Sequence, residues 1–207
     1  MTATLPRRGL YVITAADVSD MQTPAAAVAA AIRGGAVMVQ YRAKGNATTA
    51  CALALAGMCR AHSIPLIIND DPQLARAVGA DGVHLGKEDT TIAQARDYLG
   101  TQAIIGISCY DELARAHTAV REGANYVAFG RFFPSMTKPN ATPAPLSLLQ
   151  QARESVQVPI VAIGGITPEN GANLLAAGAD LLAVIDGVFG QGDPEAAARR
   201  YAALFKD

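Results

Sequence analysis

Short apolar runs alternate with amphipathic stretches along the whole chain. The runs predict eight strands, at residues 10–14, 37–41, 66–68, 82–85, 103–107, 126–129, 160–163 and 181–185. Each run is continuously apolar, as expected of strands that are buried on both faces. The stretches between the runs predict helices, from residues 24–33 near the start to residues 194–205 at the end.

A repeated turn signal supports this division. The pairs Gly35-Ala36, Gly79-Ala80, Gly123-Ala124 and Gly178-Ala179 each follow a predicted helix and precede a predicted strand. Glycine in this place supplies the left-handed backbone conformation that ends a helix. The first three pairs are about 44 residues apart, close to the length of two strand–helix units. Four such pairs therefore predict eight units, a single-domain (β/α)8 TIM barrel over residues 1–207.

An open, doubly wound sheet is the alternative fold. Such a sheet normally has fewer strands and a glycine-rich phosphate loop after its first strand. No G-x-G-x-x-G motif follows residues 10–14, so the barrel is favoured. The one irregular stretch, residues 131–145, contains four prolines. Because it follows the sixth predicted strand, it predicts an active-site lid rather than a domain boundary.

Composition narrows the class of protein. Hydrophobic residues make up 51% of the chain and aromatic residues 5%, which is typical of closely packed helices around buried parallel strands. A net charge of −1 argues against a nucleic-acid or membrane partner. The three cysteines lack metal-ligand spacing and predict buried thiols. With no signal-peptide or membrane-span pattern, a cytoplasmic location is expected.

Two acidic residues follow neighbouring predicted strands. Asp70 comes shortly after residues 66–68, and Asp89 follows residues 82–85. Because the carboxyl ends of parallel strands lie on one rim of a barrel, both carboxylates are expected to face the same point. This arrangement suits Mg²⁺, which takes one or two carboxylates together with waters and substrate phosphates. The alternative is that each acid caps the following helix, and these residues alone leave both interpretations open.

Cationic and amide side chains follow the second predicted strand. Gln40, Arg42 and Lys44 occupy alternate positions, so strand geometry directs them to one side. A forked guanidinium and a compact ammonium group suit a di- or polyphosphate. Solvated loop charges are the alternative interpretation.

A second set of anion-binding candidates lies later in the chain. The adjacent glycines Gly164-Gly165, after the seventh strand, allow backbone N–H groups to approach a phosphate. Barrels often place a phosphate there and after the eighth strand, here at Ile185-Asp186. The predicted lid adds hydroxyl and ammonium groups from Ser135, Thr137 and Lys138.

Two residues carry weaker signals. Ser108 follows the fifth strand, where serine most often caps a helix. His84 lies within the fourth strand, and a core histidine with its hydrogen bonds satisfied is favoured over an acid–base residue.

Taken together, the residues at the strand ends predict two anion sites, one of them beside a metal. That combination is typical of an enzyme that joins two phosphorylated small molecules or moves a group between them.

Seven motifs connect the chain to a known family. In sequence order they are QYRAK, IINDD, GVHLGKED, GIS, FFPSMTK, AIGGI and AVIDG. Over nearly the whole chain they resemble thiamine phosphate synthase. The resemblance implies a (β/α)8 barrel that couples hydroxymethylpyrimidine diphosphate to a thiazole phosphate and releases pyrophosphate, with Mg²⁺ as its cofactor.

The resemblance also implies roles for individual residues. The pyrimidine diphosphate would contact Gln40, Arg42, Lys44, Asn69, Ser108 and Lys138. Mg²⁺ would be held by Asp70 and Asp89. The thiazole phosphate would contact Ser135, Thr137, Gly165, Ile185 and Asp186. Catalysis would rest on Arg42, Lys44, Ser108 and Lys138.

Four positions depart from the usual pattern of that family. Lys87 stands where glutamine is usual, Tyr110 replaces a frequent histidine, and Ser135 replaces a frequent threonine. Asp186 stands where serine is common. A carboxylate there would repel a phosphate dianion unless only its backbone N–H faces the ligand.

The expected mechanism is a dissociative substitution. The electron-rich aminopyrimidine stabilises a positive methylene carbon, so diphosphate leaves first and the thiazole nitrogen then attacks. The protein would supply charge stabilisation, alignment and exclusion of water, without a nucleophile of its own. The alternatives are a thiazole tautomerase, a non-catalytic barrel that binds thiazole phosphate as a regulator, and an unrelated phosphate-binding lyase or epimerase. The tautomerase would have little use for Asp70, Asp89 and QYRAK, and the lyase would need an acid–base pair.

Overall fold

Eight parallel strands, in chain order, close into a barrel in the computed structural model of the chain, which describes residues 3–14, 24–43, 48–134 and 143–206. The strands are β1 (Gly9–Ile13), β2 (Ala36–Tyr41), β3 (Leu66–Asn69), β4 (Gly82–Leu85), β5 (Ile104–Tyr110), β6 (Tyr126–Phe129), β7 (Ile160–Ile163) and β8 (Leu181–Val184). The helices are α1 (Pro24–Arg33), α2 (Thr49–Ala61), α3 (Pro72–Val78), α4 (Ile92–Leu99), α5 (Leu113–Arg121), α6 (Leu146–Ser155), α7 (Pro168–Ala176), α8 (Asp186–Phe189) and α9 (Pro194–Ala202), with a final 3₁₀ turn (Ala203–Phe205). The predicted (β/α)8 fold is confirmed.

Two boundaries differ from the prediction. Strand β5 was expected to end at Ile107 but continues to Tyr110, so Ser108 lies within the strand. Polar side chains at the end of β5 masked its extent in the sequence. The short helix α8, directly after β8, was not predicted, because four residues are too few to show a helical period.

Continuous apolar strands are explained by a core with two layers. Leu10 and Val12 of β1 pack outward, in the cluster between the barrel and its helices. Tyr11 and Ile13 point inward, into the cluster that fills the barrel. Alternate residues of a strand face opposite sides. Because both sides are buried here, both sets of alternate positions are mostly apolar.

The glycine–alanine pairs end helices as predicted. The φ angles are 103° at Gly35, 63° at Gly79, 95° at Gly123 and 116° at Gly178, all in the left-handed region. In three of the four repeats, the residue that follows the pair adds a second contact, which the sequence analysis missed. Asp81 donates its N–H to the Leu66 carbonyl and accepts the Leu66 N–H through Oδ2.

Asn125 and Asp180 repeat this reciprocal contact on two other strands. The side chain of Asn125 accepts the Ile105 N–H at 2.8 Å, and that of Asp180 accepts the Ile160 N–H at 2.8 Å. In return, the Asn125 N–H donates to the Ile105 carbonyl, and the Asp180 N–H donates to the Ile160 carbonyl. These reciprocal hydrogen bonds therefore hold the amino-terminal ends of neighbouring strands together.

Two further predictions concern the cysteines and membrane segments. All three cysteines are free, and Cys59 and Cys109 are buried, whereas Cys51 is only partly so. Burial raises the pKa of the Cys59 and Cys109 thiols to about 12, which keeps them protonated. Among the described helices, none has the length and apolar character needed to span a membrane.

Candidate active site

A cavity of about 610 Å³ opens at the carboxyl ends of the barrel strands. Most of the residues singled out in the sequence line it: Gln40, Arg42, Asn69, Asp70, Asp89, Ser108, Gly165, Ile185 and Asp186. The remaining four, Lys44, Ser135, Thr137 and Lys138, lie outside the described residues. The expected lid is described only at its two ends, of which Arg131 and Pro134 line the cavity.

The carboxylates of Asp70 and Asp89 lie close together at this rim, near enough for each charge to affect the other. Asn69 donates its amide Nδ2 to Asp70 Oδ2 at 2.5 Å, and the Gly86 N–H donates to Asp89 Oδ2 at 2.6 Å. The backbone of Asp70 has φ 63°, in the left-handed region that non-glycine residues seldom adopt. Such strain persists only where surrounding structure enforces it, and it is concentrated at functional sites.

Burial and the neighbouring Asp89 carboxylate together raise the pKa of Asp70 to about 6, against a smaller opposing effect of Arg42. A divalent cation between two such oxygens would relieve their repulsion. The alternative role as helix caps belongs to other residues. Asp71 caps α3 by accepting the Leu74 N–H at 2.8 Å, and Thr91 caps α4 in a capping box with Gln94.

The backbone at the start of the β2–α2 loop is held from β1. The Arg42 N–H donates to Thr14 Oγ1 at 2.9 Å, and the Thr14 hydroxyl donates back to the Arg42 carbonyl at 3.0 Å. Thr14 is buried, so this reciprocal pair fixes where the guanidinium leaves the rim. Thr14 was not among the predicted site residues, although a polar residue directly after an apolar strand was an available signal.

Five polar side chains form a continuous hydrogen-bonded chain, and all of them except Tyr126 line the cavity. Gln40 Nε2 donates to the Tyr11 hydroxyl at 2.7 Å, and Tyr11 and Tyr126 are joined through their hydroxyls at 3.0 Å. Tyr126 contacts His84 Nδ1 at 3.0 Å, and His84 Nε2 contacts Ser108 Oγ at 2.8 Å.

Both ring nitrogens of His84 are thus satisfied, as expected of a core histidine. Its ring stacks on Tyr126, with centroids 5.6 Å apart. Burial lowers the pKa of His84 to about 4, so the ring is neutral near pH 7. The two tyrosines were missed in the sequence because each lies in an apolar strand and resembles an ordinary core residue.

Ser108 is held by its backbone as well. Arg115 of α5 donates Nε to the Ser108 carbonyl at 2.7 Å and Nη2 to the Gly86 carbonyl at 2.9 Å. Since the Gly86 N–H also donates to Asp89, the Arg115 guanidinium connects Ser108 to the loop that carries Asp89. Ser108 is not a helix cap, because Glu112 precedes α5.

The opposite side of the rim is built from backbone. Gly164 and Gly165 have φ 104° and 64°. A Cβ at Gly164 would lie 2.2 Å from Arg131 Cβ, and one at Gly165 would lie 2.3 Å from the Pro134 carbonyl oxygen. The glycines are therefore required for packing against residues 131–134, beyond their predicted role. Within the described part of the chain, the Gly165 N–H has no acceptor.

Two of the departures from the family pattern meet at the β4–α4 loop. The Lys87 N–H donates to the Tyr110 hydroxyl at 3.3 Å, and Lys87 Nζ lies 3.7 Å from Glu112 Oε1. Tyr110 has φ 56°, a second strained residue beside the cavity. Asp186, the third described departure, begins α8 and lines the cavity with Ile185.

Comparisons with known proteins agree with this geometry. A family model described as thiamine monophosphate synthase matches residues 10–188. The thiamine-phosphate synthase of Nitrosococcus oceani is 51% identical over 201 residues, which cover 96% of this chain and 93% of that protein. That of Thioalkalivibrio sulfidiphilus is 49% identical over 210 residues and covers 100% of both.

Two solved structures superpose on nearly the whole chain. The thiamine phosphate pyrophosphorylase of Pyrococcus furiosus superposes with a TM-score of 0.84 at 35% identity, covering 96% of this chain and 95% of that one. A geranylgeranylglyceryl phosphate synthase from Thermoplasma acidophilum has a TM-score of 0.70 at 14% identity, covering 97% of this chain and 93% of that one. At that identity the second likeness concerns the fold alone.

Proposed function

The chain belongs to the thiamine monophosphate synthase family, and from this premise we propose how its two-sided rim forms thiamine phosphate. The side-chain half, on β2 to β5, holds the diphosphate of a pyrimidine substrate. The glycine half, on β7 and β8, holds a thiazole phosphate. The observation that carries the proposal is the convergence of Asp70 and Asp89 beside Arg42 in the same cavity as Gly165.

In the diphosphate half, cationic and donor groups surround the carboxylate pair. Arg42, Gln40, Asn69 and Ser108 all line this side of the cavity. The guanidinium neutralises the leaving diphosphate through forked contacts, and the amide and hydroxyl groups orient it. Lys44 and Lys138, both outside the described residues, stay predictions for the same role.

The carboxylate pair fits Mg²⁺. Within the described residues no third histidine, cysteine, aspartate or glutamate joins Asp70 and Asp89. Two carboxylates are what Mg²⁺ commonly takes from a protein when substrate phosphates and waters fill its other positions. When bound, the ion would stabilise negative charge on the diphosphate.

The glycine half fits a phosphate monoester. The Gly165 N–H is directed to no acceptor of the described chain and is available to an anionic oxygen. Ile185 and Asp186 would complete this half with backbone groups, which avoids repulsion between the Asp186 carboxylate and the phosphate. Ser135 and Thr137, together with the lid over residues 131–145, stay predictions.

The residues described support a dissociative reaction. The Cys109 thiol is a poor nucleophile, because it is buried with its pKa raised to about 12, and His84 is a weak base, because its pKa is lowered to about 4. Arg42 and Ser108 instead stabilise the departing diphosphate as the bond to the methylene carbon breaks. The barrel holds the thiazole nitrogen in line with that carbon.

Product formation from both substrates, with Mg²⁺ and then with EDTA, tests this proposal. We expect thiamine phosphate and pyrophosphate only in the presence of metal. Product in EDTA would overturn the metal assignment. No product, together with isomerisation of the thiazole phosphate, would favour the tautomerase alternative.

We further propose that the reaction takes place in the cytoplasm. The three cysteines are unpaired, and two of them are buried thiols, as is usual in a reducing compartment. Cell fractionation with an antibody to the chain would test this, and a membrane or extracellular fraction would contradict it.

A further inference from the structure

We propose that the buried chain from Gln40 through Tyr11, Tyr126 and His84 fixes the direction of the Ser108 hydroxyl, so that its proton points into the cavity. Ser108 then acts as a hydrogen-bond donor to the anionic substrate and not as a nucleophile or proton acceptor. The inference deepens the proposed function, since it rests on diphosphate binding beside Ser108.

The direction follows from counting protons along the chain. Four hydrogen bonds join the five side chains. Gln40 enters through its Nε2 amide, which only donates, so it supplies the proton of the first bond. Tyr11, Tyr126 and His84 carry one proton each and supply the other three bonds. His84 is therefore protonated on Nε2, which donates to Ser108 Oγ, and the serine's own proton is left for another acceptor.

The opposite direction leaves a buried donor unsatisfied. If Ser108 donated to His84, then His84 would be protonated on Nδ1 and would donate to Tyr126. One phenol would then accept two hydrogen bonds, Tyr11 from Gln40 and Tyr126 or Tyr126 from His84 and Tyr11. The proton of that phenol would have no acceptor among the residues the structure describes, although Tyr11 is only 1% exposed and Tyr126 is 0% exposed. Burying an unmade hydrogen bond is costly, so the first direction is favoured.

The proton count holds throughout the neutral pH range. Burial raises the pKa of Tyr11 and Tyr126 well above 10, which keeps both phenols protonated. Burial also keeps the His84 ring neutral, with one proton rather than two. No member of the chain gains or loses a proton near pH 7, so the direction is stable there.

This direction changes the chemical interpretation of the Ser108–His84 pair. A serine hydroxyl 2.8 Å from a histidine nitrogen has the spacing of a nucleophile and its general base. With the proton on Nε2, His84 donates to the serine and has no capacity to accept its proton. Arg115 holds the Ser108 carbonyl at 2.7 Å, so the donor is anchored at its backbone too. Gln40, Tyr11, Tyr126 and His84 are accordingly positioning residues.

The ¹⁵N spectrum of the imidazole rings in the ligand-free protein tests the inference. The chain has three histidines, so His84 is readily assigned by comparison with a His84→Gln variant. We expect the chemical-shift pattern of an Nε2-protonated ring from pH 6 to pH 8. A ring protonated on Nδ1 would overturn the proposal.

A directional substitution sharpens the test. Gln40→Glu replaces the donor with an acceptor when the carboxylate is ionised. At alkaline pH it should therefore reverse the direction of all four hydrogen bonds and move the His84 proton to Nδ1. In a Gln40→Glu/Tyr126→Phe variant, the hydrogen bonds from Tyr126 to Tyr11 and to His84 are lost. The position of the His84 proton should then no longer depend on residue 40. The matched control is Gln73→Glu, because Gln73 is exposed and its amide contacts the Tyr98 hydroxyl at 3.5 Å. An Nε2-protonated ring in Gln40→Glu at alkaline pH would remove Gln40 from the proposal.

Binding of inorganic pyrophosphate with Mg²⁺ tests the donor itself. Ser108→Ala should weaken binding by roughly tenfold or more, as expected for loss of a hydrogen bond to a charged group. Ser155→Ala should leave it unchanged, although Ser155 also contacts a histidine, His117, at 2.9 Å. Unchanged affinity in Ser108→Ala would overturn the donor role. The ring spectrum needs no turnover, so it separates failure of this inference from failure of the proposed reaction.

Discussion

The two ends of the barrel use aspartates for different purposes. At the amino-terminal end, the Asp81 carboxylate accepts the N–H groups of Leu66 and Ala3, each at 2.9 Å. At the carboxyl-terminal end, the carboxylates of Asp70 and Asp89 lie beside each other at the cavity. A carboxylate that accepts backbone donors holds strands together, whereas a pair of neighbouring carboxylates is suited to the cation proposed above.

Backbone conformation gives a partial contrast. The acids at the amino-terminal end follow glycines that adopt left-handed angles without strain. Among non-glycine residues, Ser63 before β3 has φ 56°, whereas Asp70 and Tyr110, with φ 63° and 56°, line the cavity. Two of the three strained non-glycine residues of the described chain therefore border the candidate site, where such strain is often functional. Four substitutions or conditions would break or sharpen this comparison.

The largest effect is expected at Asp89. Asp89→Asn keeps an acceptor for the Gly86 N–H but removes the charge, so we expect kcat to fall by roughly 10²–10³-fold with little change in thermal stability. Steady-state kinetics at saturating Mg²⁺, with a melting curve, would measure both. Asp97→Asn, at an exposed position of α4, is the control. Undiminished turnover would remove Asp89 from the metal site.

The next effect concerns pH and His84, which lines the cavity. Its pKa is lowered from 6.5 to about 4 in the folded chain, so below pH 6.5 the unfolded chain binds a proton that the folded chain excludes. The free energy of unfolding should therefore fall as the pH drops from about 6.5 to 4, by up to about 3 kcal/mol from this residue. Urea unfolding of the wild type and His84→Asn across this range isolates the contribution. Parallel pH profiles in the two proteins would show that His84 contributes none.

A smaller effect on stability is expected at the amino-terminal end. Asp81→Ala leaves the N–H groups of Leu66 and Ala3 without this acceptor, which should reduce the free energy of unfolding by about 1–3 kcal/mol. Since Asp81 does not line the cavity, kcat of the folded fraction should not change. Urea unfolding and steady-state kinetics on the same preparation give both values. A loss of kcat with intact stability would contradict the division between the ends.

The smallest effect has the opposite sign. Asp70→Asn removes one of two facing carboxylates, and asparagine tolerates the left-handed backbone at this position. In EDTA we expect stability to rise by a few tenths of a kcal/mol, because the pair is partly exposed and its repulsion is screened by solvent. Thermal melting of wild type and variant in EDTA would measure this. A marked loss of stability would mean that the Asp70 carboxylate holds the fold together.

Much of the fold was predictable from local features. Four of the eight strand predictions differ from the structure by one residue at one or both ends, three agree, and only β5 differs by more, because its polar end conceals three further residues. Glycine positions such as Gly79 and Gly178 were predictable because a left-handed turn after a helix strongly favours that residue. Carboxylates at strand ends were also correctly placed on one rim.

The candidate site was predictable only in part. Asp70, Asp89 and Ser108 were assigned from strand ends and family motifs, and they line one cavity. Thr14 and Arg115 were missed, because each acts through a backbone group of a residue that is distant in sequence. The polarity of Thr14 at the end of an apolar strand does not identify its partner, and nothing about an arginine on α5 marks such a contact in advance.

The sequence by itself determined the alternation of strands and helices, their glycine ends and the residue types at the rim. Periodicity and backbone preference are local properties, which each segment carries without its neighbours. The tertiary structure alone decided which polar groups meet. Tyr11 and Tyr126 are 115 residues apart and touch only because the strands close into a barrel. The direction of the hydrogen bonds, the carboxylate pairing and the neutral histidine all depend on that closure, since burial and proximity exist only in the folded chain.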